Sequence, residues 1–420
     1  MAVMSLAWHS LLNRKVTACL TVLAIGLSVT LLLGVEKIRH EAKRGFISTI
    51  SGTDLIVGAR TGPVQLLLYS VFRIGDATNN IAWENYQHFA NHKMVKWSIP
   101  FALGDSHKGY RVLGTNQAYF EHYRHGNKQR LKLAQGKRFT DLYDAVIGAE
   151  VAKKLGYQLG DKVVLAHGAG KASFVKHDNQ PFQITGILAP TGTPVDQTIH
   201  VSLEAIEAIH LGWERGTPSA LAKSITPDQA RQLDLQPKTI TAFLLGLKSK
   251  IGTFVLQREV NKFEQEPLLA IIPGVAITQL WQLIGTAEKA LLVISGFVVV
   301  TGLIGMLTTI LTSLSERRRE MAILRSVGAR PFHIFSLMIS EAGLIAILGC
   351  LTGIGFLYGL MAIARPIFME LYGIHIQISF LTQHEIMLLS IVIISGFFMG
   401  IFPAWRAYKN SLTDGMTIRT

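Results

Sequence analysis

Cysteine is almost absent from this 420-residue chain, and charge is scarce. Cys19 and Cys350 both fall inside long apolar runs, so the water-exposed part of the chain has no disulfide and must rest on its own core. Only 16% of residues are charged against 49% hydrophobic, and the mean hydropathy is positive. That balance excludes a disordered or wholly soluble chain and fits a membrane protein with a sizeable water-exposed part. Catalytic signatures are missing as well: there is no G-x-S-x-G elbow, HExxH helix or EF-hand loop. The stretch His167 to Lys171, HGAGK, has Leu165 and Ala172 where a P-loop needs a glycine and a hydroxyl, so it reads as a glycine turn. No internal repeat or low-complexity tract occurs, and an enzyme has no positive support.

What is present are four apolar stretches. Val16 to Val35 and Ile386 to Trp405 are each twenty residues without a charge, Ala290 to Leu314 is twenty-five, and Ile334 to Ala364 is broken only by Glu341. Each can cross a hydrocarbon core of roughly 30 Å as a helix. The first follows Arg14 and Lys15 but exceeds a signal-peptide core and lacks a small-residue cleavage site, so it reads as a retained anchor. Glu341 lies about 10 Å into its span by helical rise, where snorkelling or a bond to a neighbouring helix is expected in place of proton transport.

Arg14 and Lys15, the arginines between Arg317 and Arg330, and Arg406, Lys409 and Arg419 fall on one side of these spans, whereas residues 365–385 carry a single Arg. The positive-inside rule then puts both termini in the cytosol. Residues 37–285 become extracytoplasmic, with 29 Lys plus Arg against 20 Asp plus Glu. Such a basic surface suits anionic headgroups or an acidic partner, and the topology excludes nucleic acid.

The expected layout has an interfacial segment, first span (about 16–35) and stalk over 1–50, and an α+β domain over 51–277. A second stalk and span follow over 278–314, a cytoplasmic loop over 315–333, and the third span over 334–364. A short outer loop (365–385), the fourth span (386–405) and a tail (406–420) complete the chain. Within the domain, residues 145–155 read as helix, 238–247 as strand, 251–264 as helix and 268–277 as strand. The run VQLLLYSVF, Val64 to Phe72, is too short to span, and is either a buried core helix or an interfacial one.

Two groups of residues could carry function. His88 and His92 are four apart, with His122 and His125 following; they are surface histidines or zinc ligands. The loop ERRREMAILRSVGAR has an apolar face from Met321, Ile323 and Leu324 beside its charges and ends at Gly328, a pattern suited to docking into a groove of another protein.

That loop, with Glu341 downstream, the Gly-rich third span GLIAILGCLTGIGFLYG, and Pro403, Ala404, Arg406 and Ala407, resembles the MacB and FtsX type of ABC permease, the mechanotransmission transporters. VIGAEVAKKLGYQLGDKVVL followed by FQITGIL resembles that family's periplasmic core. The resemblance implies four transmembrane helices, with a large α+β domain of porter and sabre type inserted between helices 1 and 2, in the bacterial inner membrane. It also implies a homo- or heterodimer of permeases on a cytosolic ABC ATPase dimer that holds ATP and magnesium, with no cofactor in this chain and a periplasmic partner protein. By position, Glu316, Arg317, Arg319, Glu320, Met321, Ile323, Leu324, Arg325 and Gly328 would form the coupling element, with Glu320 and Arg325 at the ATPase. The ATPase domain that some members carry at the N-terminus is not found, so hydrolysis is expected on a separate chain. The work done outside is open: export or extraction, regulation of a partner such as a cell-wall hydrolase, or zinc-linked metal handling. For the last, DLIVGARTGPVQLLLYSVFRIGDATNNI is similar to a subgroup found beside metal-related periplasmic proteins.

Overall fold

Four long helices carry the apolar runs: Lys15–Thr49, Pro273–Glu316, Pro331–Tyr372 and Gln383–Thr413. They belong to a computed structural model that describes residues 2–126, 128–168, 177–212, 226–316, 323, 326, 328–372 and 379–413. All four are long and apolar enough to cross a membrane. A large α+β domain is inserted between the first and the second of them. The chain divides into a helical unit (residues 1–41, 285–369 and 375–420) and a second unit of residues 42–284 and 370–374.

In the helical unit large apolar side chains such as Leu20, Phe297, Leu360 and Phe398 point outward, the arrangement lipid favours over water. Small residues set the packing inside. A methyl group on Gly349 would stand 2.5 Å from the Ile25 side chain, and one on Gly353 2.8 Å from the Gly26 carbonyl oxygen, so the first and third helices meet at backbone distance. Gly396 and Gly400 lie against Ala346 and Ala342 in the same way. Four-residue spacing of small residues brings helices close where no water is available to drive association. Hydroxyls add cross-links: Thr30 Oγ1 donates to the Gly353 carbonyl at 3.1 Å and Ser28 Oγ to the Val298 carbonyl at 3.2 Å.

One end of this bundle is polar. Lys37 and Glu385, 3% and 0% exposed, approach to 3.7 Å, and Lys37 Nζ also donates to the carbonyls of Ser379 and Phe380 at 2.9 and 3.2 Å. Glu385 Oε2 accepts from the Thr382 amide at 2.6 Å while Thr382 Oγ1 accepts from the Glu385 amide at 3.3 Å, a reciprocal cap for the fourth helix.

The inserted domain is built on one mixed sheet. Its main path runs Leu268–Ile271, Leu55–Ala59, Ala242–Leu247, Val95–His107, Tyr110–Thr115, Thr198–Ser202, Asp144–Ile147, Phe182–Leu188, Leu133–Gly136. Two pairings are parallel, Tyr110–Thr115 with Thr198–Ser202 and Asp144–Ile147 with Phe182–Leu188. The long strand Val95–His107 serves both halves: its first part pairs with Ala242–Leu247, its last part with Tyr110–Thr115.

Several expectations change here. Residues 145–155 are a buried strand to Ile147 and a helix only from Ala149 to Leu155. The break is Gly148, whose extended backbone lies against the Val195 and Asp196 carbonyls. The stretch 268–277 is a strand only to Ile271, because Pro273 opens the second long helix. Of the two readings of Val64 to Phe72, the buried one is found: Pro63–Leu67 and Leu68–Phe72 form a short helix with a π-turn, whose Leu66, Leu67, Tyr69 and Phe72 join the domain core.

Candidate metal centre

A register shift between Leu103 and Ser106 in the long strand places one extra residue opposite Tyr110–Thr115. Such a bulge bends a strand and re-aims a side chain, and here the residue at the bend is Asp105, only 3% exposed. Opposite it the short strand Ala166–His167 pairs antiparallel, with His167 in register with Asp105. The Gly168 carbonyl accepts a hydrogen bond from Ser106 Oγ at 2.5 Å, which ties the end of the short strand to the long one. Past residues 169–176 the chain returns at His177, whose amide donates to the Leu165 carbonyl at 2.9 Å. The fourth member, His210, caps the C-terminus of the helix Leu203–Ile209.

One ligand atom from each of Asp105, His167, His177 and His210 lies within 4.8 Å of all the others. His167 Nδ1 is 3.0 Å and His210 Nε2 3.6 Å from Asp105 Oδ1. The rings of His167 and His210 stack at 4.5 Å, and His177 stands edge-on to both at 5.3 and 5.5 Å. Asp105 and His177 are buried, His167 and His210 partly exposed. Burial opposes ionisation of Asp105, yet the facing His167 and His210 outweigh it and hold the carboxyl far below the usual carboxylate range. His177 is pushed down to about 4 by burial, against the pull of Asp105, so it is neutral at pH 7. For His210 burial favours the neutral ring, but Asp105 and the backbone of Ile206 win and raise its pKa. Chemically this is one carboxylate and three imidazoles whose donor atoms lie within 4.8 Å of one another.

The histidines singled out by spacing are placed elsewhere. The helix Trp83–Ala90 ends before His92. His88 packs between Phe89 and Phe263, whereas His92 Nε2 lies 3.7 Å from Glu259. His122 stacks on Trp97 at 5.3 Å, and His125 is buried in a short hairpin. Burial lowers the pKa of both His122 and His125. Among the described residues none of these four joins a group of three or more metal-ligating side chains. The ligands that do converge span positions 105 to 210 without a repeated spacing. In sequence, His167 stands at the head of the HGAGK stretch.

Of the coupling element, Glu316 ends the second long helix, Ile323 is exposed and Gly328 has φ +97°, a left-handed conformation that favours glycine. Arg317, Arg319, Glu320, Met321, Leu324 and Arg325 lie outside the described residues. Just after the coupling element in sequence, Arg330, Pro331, Phe332 and Phe335 line a hollow of about 450 Å³ together with Trp405 of the fourth long helix. Glu341 is buried, 5% exposed, beside a second hollow of about 440 Å³ that Arg14, Thr21 and Ser313 also line.

Comparison with known proteins gives two family matches in tandem: a MacB-like periplasmic core domain over residues 18–233 and an FtsX-like permease C-terminal module over residues 292–412. A macrolide export ATP-binding/permease protein MacB of Bradyrhizobium diazoefficiens is 24% identical over 97% of this chain and 58% of its own length. A pyoverdine export ATP-binding/permease protein PvdT of Pseudomonas aeruginosa is 26% identical over 66% of this chain and 38% of its own. The chain thus spans less than two thirds of the length of these relatives. Among solved structures, the periplasmic region of MacB from Actinobacillus actinomycetemcomitans matches over 56% of this chain and 95% of that one, with 10% identity and a TM-score of 0.35.

Proposed function

Because the chain belongs to the MacB-like family of permeases, we propose that it is the ABC-transporter membrane subunit that passes ATP-driven motion of a cytosolic ATPase to its inserted domain. The motion would serve export or extraction of a substrate from the periplasm or the outer leaflet. The observation that carries this reading is the order of the two modules on one chain with four span-length helices. The sequence holds no P-loop, so ATP hydrolysis falls to an ABC ATPase working with it. In this reading both termini and the 315–333 loop face the cytosol, the inserted domain faces the periplasm, and two permease copies share the ATPase pair.

The packing of the helical unit supports a mechanical role. Backbone-close contacts at Gly349, Gly353, Gly396 and Gly400 let motion of one helix pass to its neighbours, and the apolar outward faces suit lipid. The hollow beside Phe332 and Trp405 has the aromatic and arginine lining that anchors protein partners. The relatives' names record export of macrolides and pyoverdine, which supports export as the class of work.

Two measurements test this. Purification of the tagged chain in mild detergent should bring down an ABC ATPase, identified by mass spectrometry; its absence after gentle extraction contradicts the proposal. Glu320→Ala with Arg325→Ala should abolish stimulation of that ATPase while thermal unfolding is unchanged. Full stimulation by the double variant would remove these two residues from the coupling contact.

A further inference from the structure

We propose that Asp105, His167, His177 and His210 form an exchangeable, non-catalytic binding site for one Zn²⁺ ion in the inserted domain. This inference rests on geometry and is independent of the permease reading.

Four donors around zinc at bond lengths near 2.0–2.1 Å stand about 3.3 Å from one another in a tetrahedron. The separations of His167 Nδ1 and His210 Nε2 from Asp105 Oδ1, 3.0 and 3.6 Å, bracket that edge, and no pair exceeds 4.8 Å. Small side-chain rotations therefore complete the shell without backbone movement. The donor set is three nitrogens and one oxygen, with no thiolate, which suits zinc among the borderline divalent ions and disfavours the soft cuprous ion. All four tetrahedral positions are filled by protein, leaving none for a reacting water, so the site binds and does not hydrolyse.

Asp105 Oδ1 is buried, with His167 Nδ1 and His210 Nε2 at 3.0 and 3.6 Å. An ion bound among these donors would take over contacts that the side chains now make with one another. His210 presents Nε2 to the centre while the ring also bonds the Ile206 backbone, the second contact that orients a ligating imidazole. The carbonyl end of the helix Leu203–Ile209 adds partial negative charge beside a cation. Exposure separates the roles: Asp105 and His177 are buried anchors, while His167 and His210, 37% and 25% exposed, give solvent a way in. Zinc held this way can leave to a stronger chelator and return.

The test uses the full-length chain in mild detergent with a tag free of histidine. After chelator treatment and dialysis against Zn²⁺, elemental analysis should find one zinc per chain, removable by chelator and regained on re-dialysis. Zinc X-ray absorption should show about three imidazole nitrogens and one oxygen, in keeping with the ligand set. Asp105→Asn, close to isosteric, and His177→Gln should each weaken binding by more than the roughly 10–100-fold that loss of an outer partner costs. His88→Ala with His92→Ala should leave it unchanged. No zinc uptake by the wild-type chain, a spectrum without imidazoles, uptake untouched by Asp105→Asn and His177→Gln, or retention of Cu²⁺ but not Zn²⁺ would each overturn the assignment. Zinc that no chelator removes would overturn its exchangeable character. The wild-type spectrum decides even where a variant fails to fold.

Discussion

The buried pair of Lys37 and Glu385 allows a quantitative test of the helical unit. Glu385 does two jobs: it faces the Lys37 ammonium at 3.7 Å and it caps the fourth helix through Thr382. Glu385→Gln keeps an oxygen for the cap and removes the charge. Stranding a buried cation costs about 3–5 kcal/mol, but the Ser379 and Phe380 carbonyls still hold the ammonium, so a loss of about 2–4 kcal/mol is expected. Glu385→Ala also removes the cap, worth about 1 kcal/mol more. Lys37→Met combined with Glu385→Gln takes away both charges and should recover most of the loss, since replacing a whole buried pair is often near neutral. The assay is a double-mutant cycle on unfolding in mild detergent, where contacting groups show coupling energies of about 0.5–3 kcal/mol. A loss below about 0.5 kcal/mol for Glu385→Gln, or strictly additive effects of the two changes, would refute the argument, because both require the pair to be solvated or apart.

Two further outcomes follow from the structure. His200 is fully buried against Tyr119, with Nδ1 at 3.1 Å from the Val146 carbonyl, and burial pushes its pKa down to about 3. The unfolded chain protonates this ring near pH 6.5, so its contribution to stability is intact above that value and is lost as pH falls toward 3. At pH 5 the loss is about 2 kcal/mol, measurable by unfolding at pH 5 and 7.5 and absent in His200→Gln; equal pH dependence of the two proteins would contradict it. Gly349→Leu drives a side chain into Ile25 and should destabilise the helical unit by about 1–3 kcal/mol, seen as a lower unfolding temperature in detergent; no change would mean that the first and third helices do not meet there.

Much of the fold was legible because membrane and sheet each impose a length and a period. A span needs about twenty apolar residues, and the sequence has four such runs; the structure makes each of them a helix that continues past the run, as Lys15–Thr49 does. The expected strand over 238–247 and helix over 251–264 are found as the strand Ala242–Leu247 and the helix Thr253–Asn261. Residues 145–155 were misread because AEVAKKL is a strong helical stretch and Ala145–Ile147, the end of the buried strand before it, is apolar without alternation, as central strands are. Only the close approach of Gly148 to residues 195 and 196 separates them, and that contact is tertiary.

The centre at Asp105 lay hidden for a related reason. A helix carries its own spacing, so His88 and His92 four apart look like a pair, yet the helix stops at Ala90 and the pair dissolves. The true neighbours are set by pairings that no local period records. Strand register puts His167 across from Asp105, a bulge turns the carboxylate inward, and a parallel crossover from Tyr110–Thr115 to Thr198–Ser202 delivers the helix that ends at His210. Each is a choice between alternatives separated by one residue of register, and a slip of one would send its side chain to the other face of the sheet. Three independent long-range choices agreeing on one point are a stronger argument for a built site than any single short distance within it.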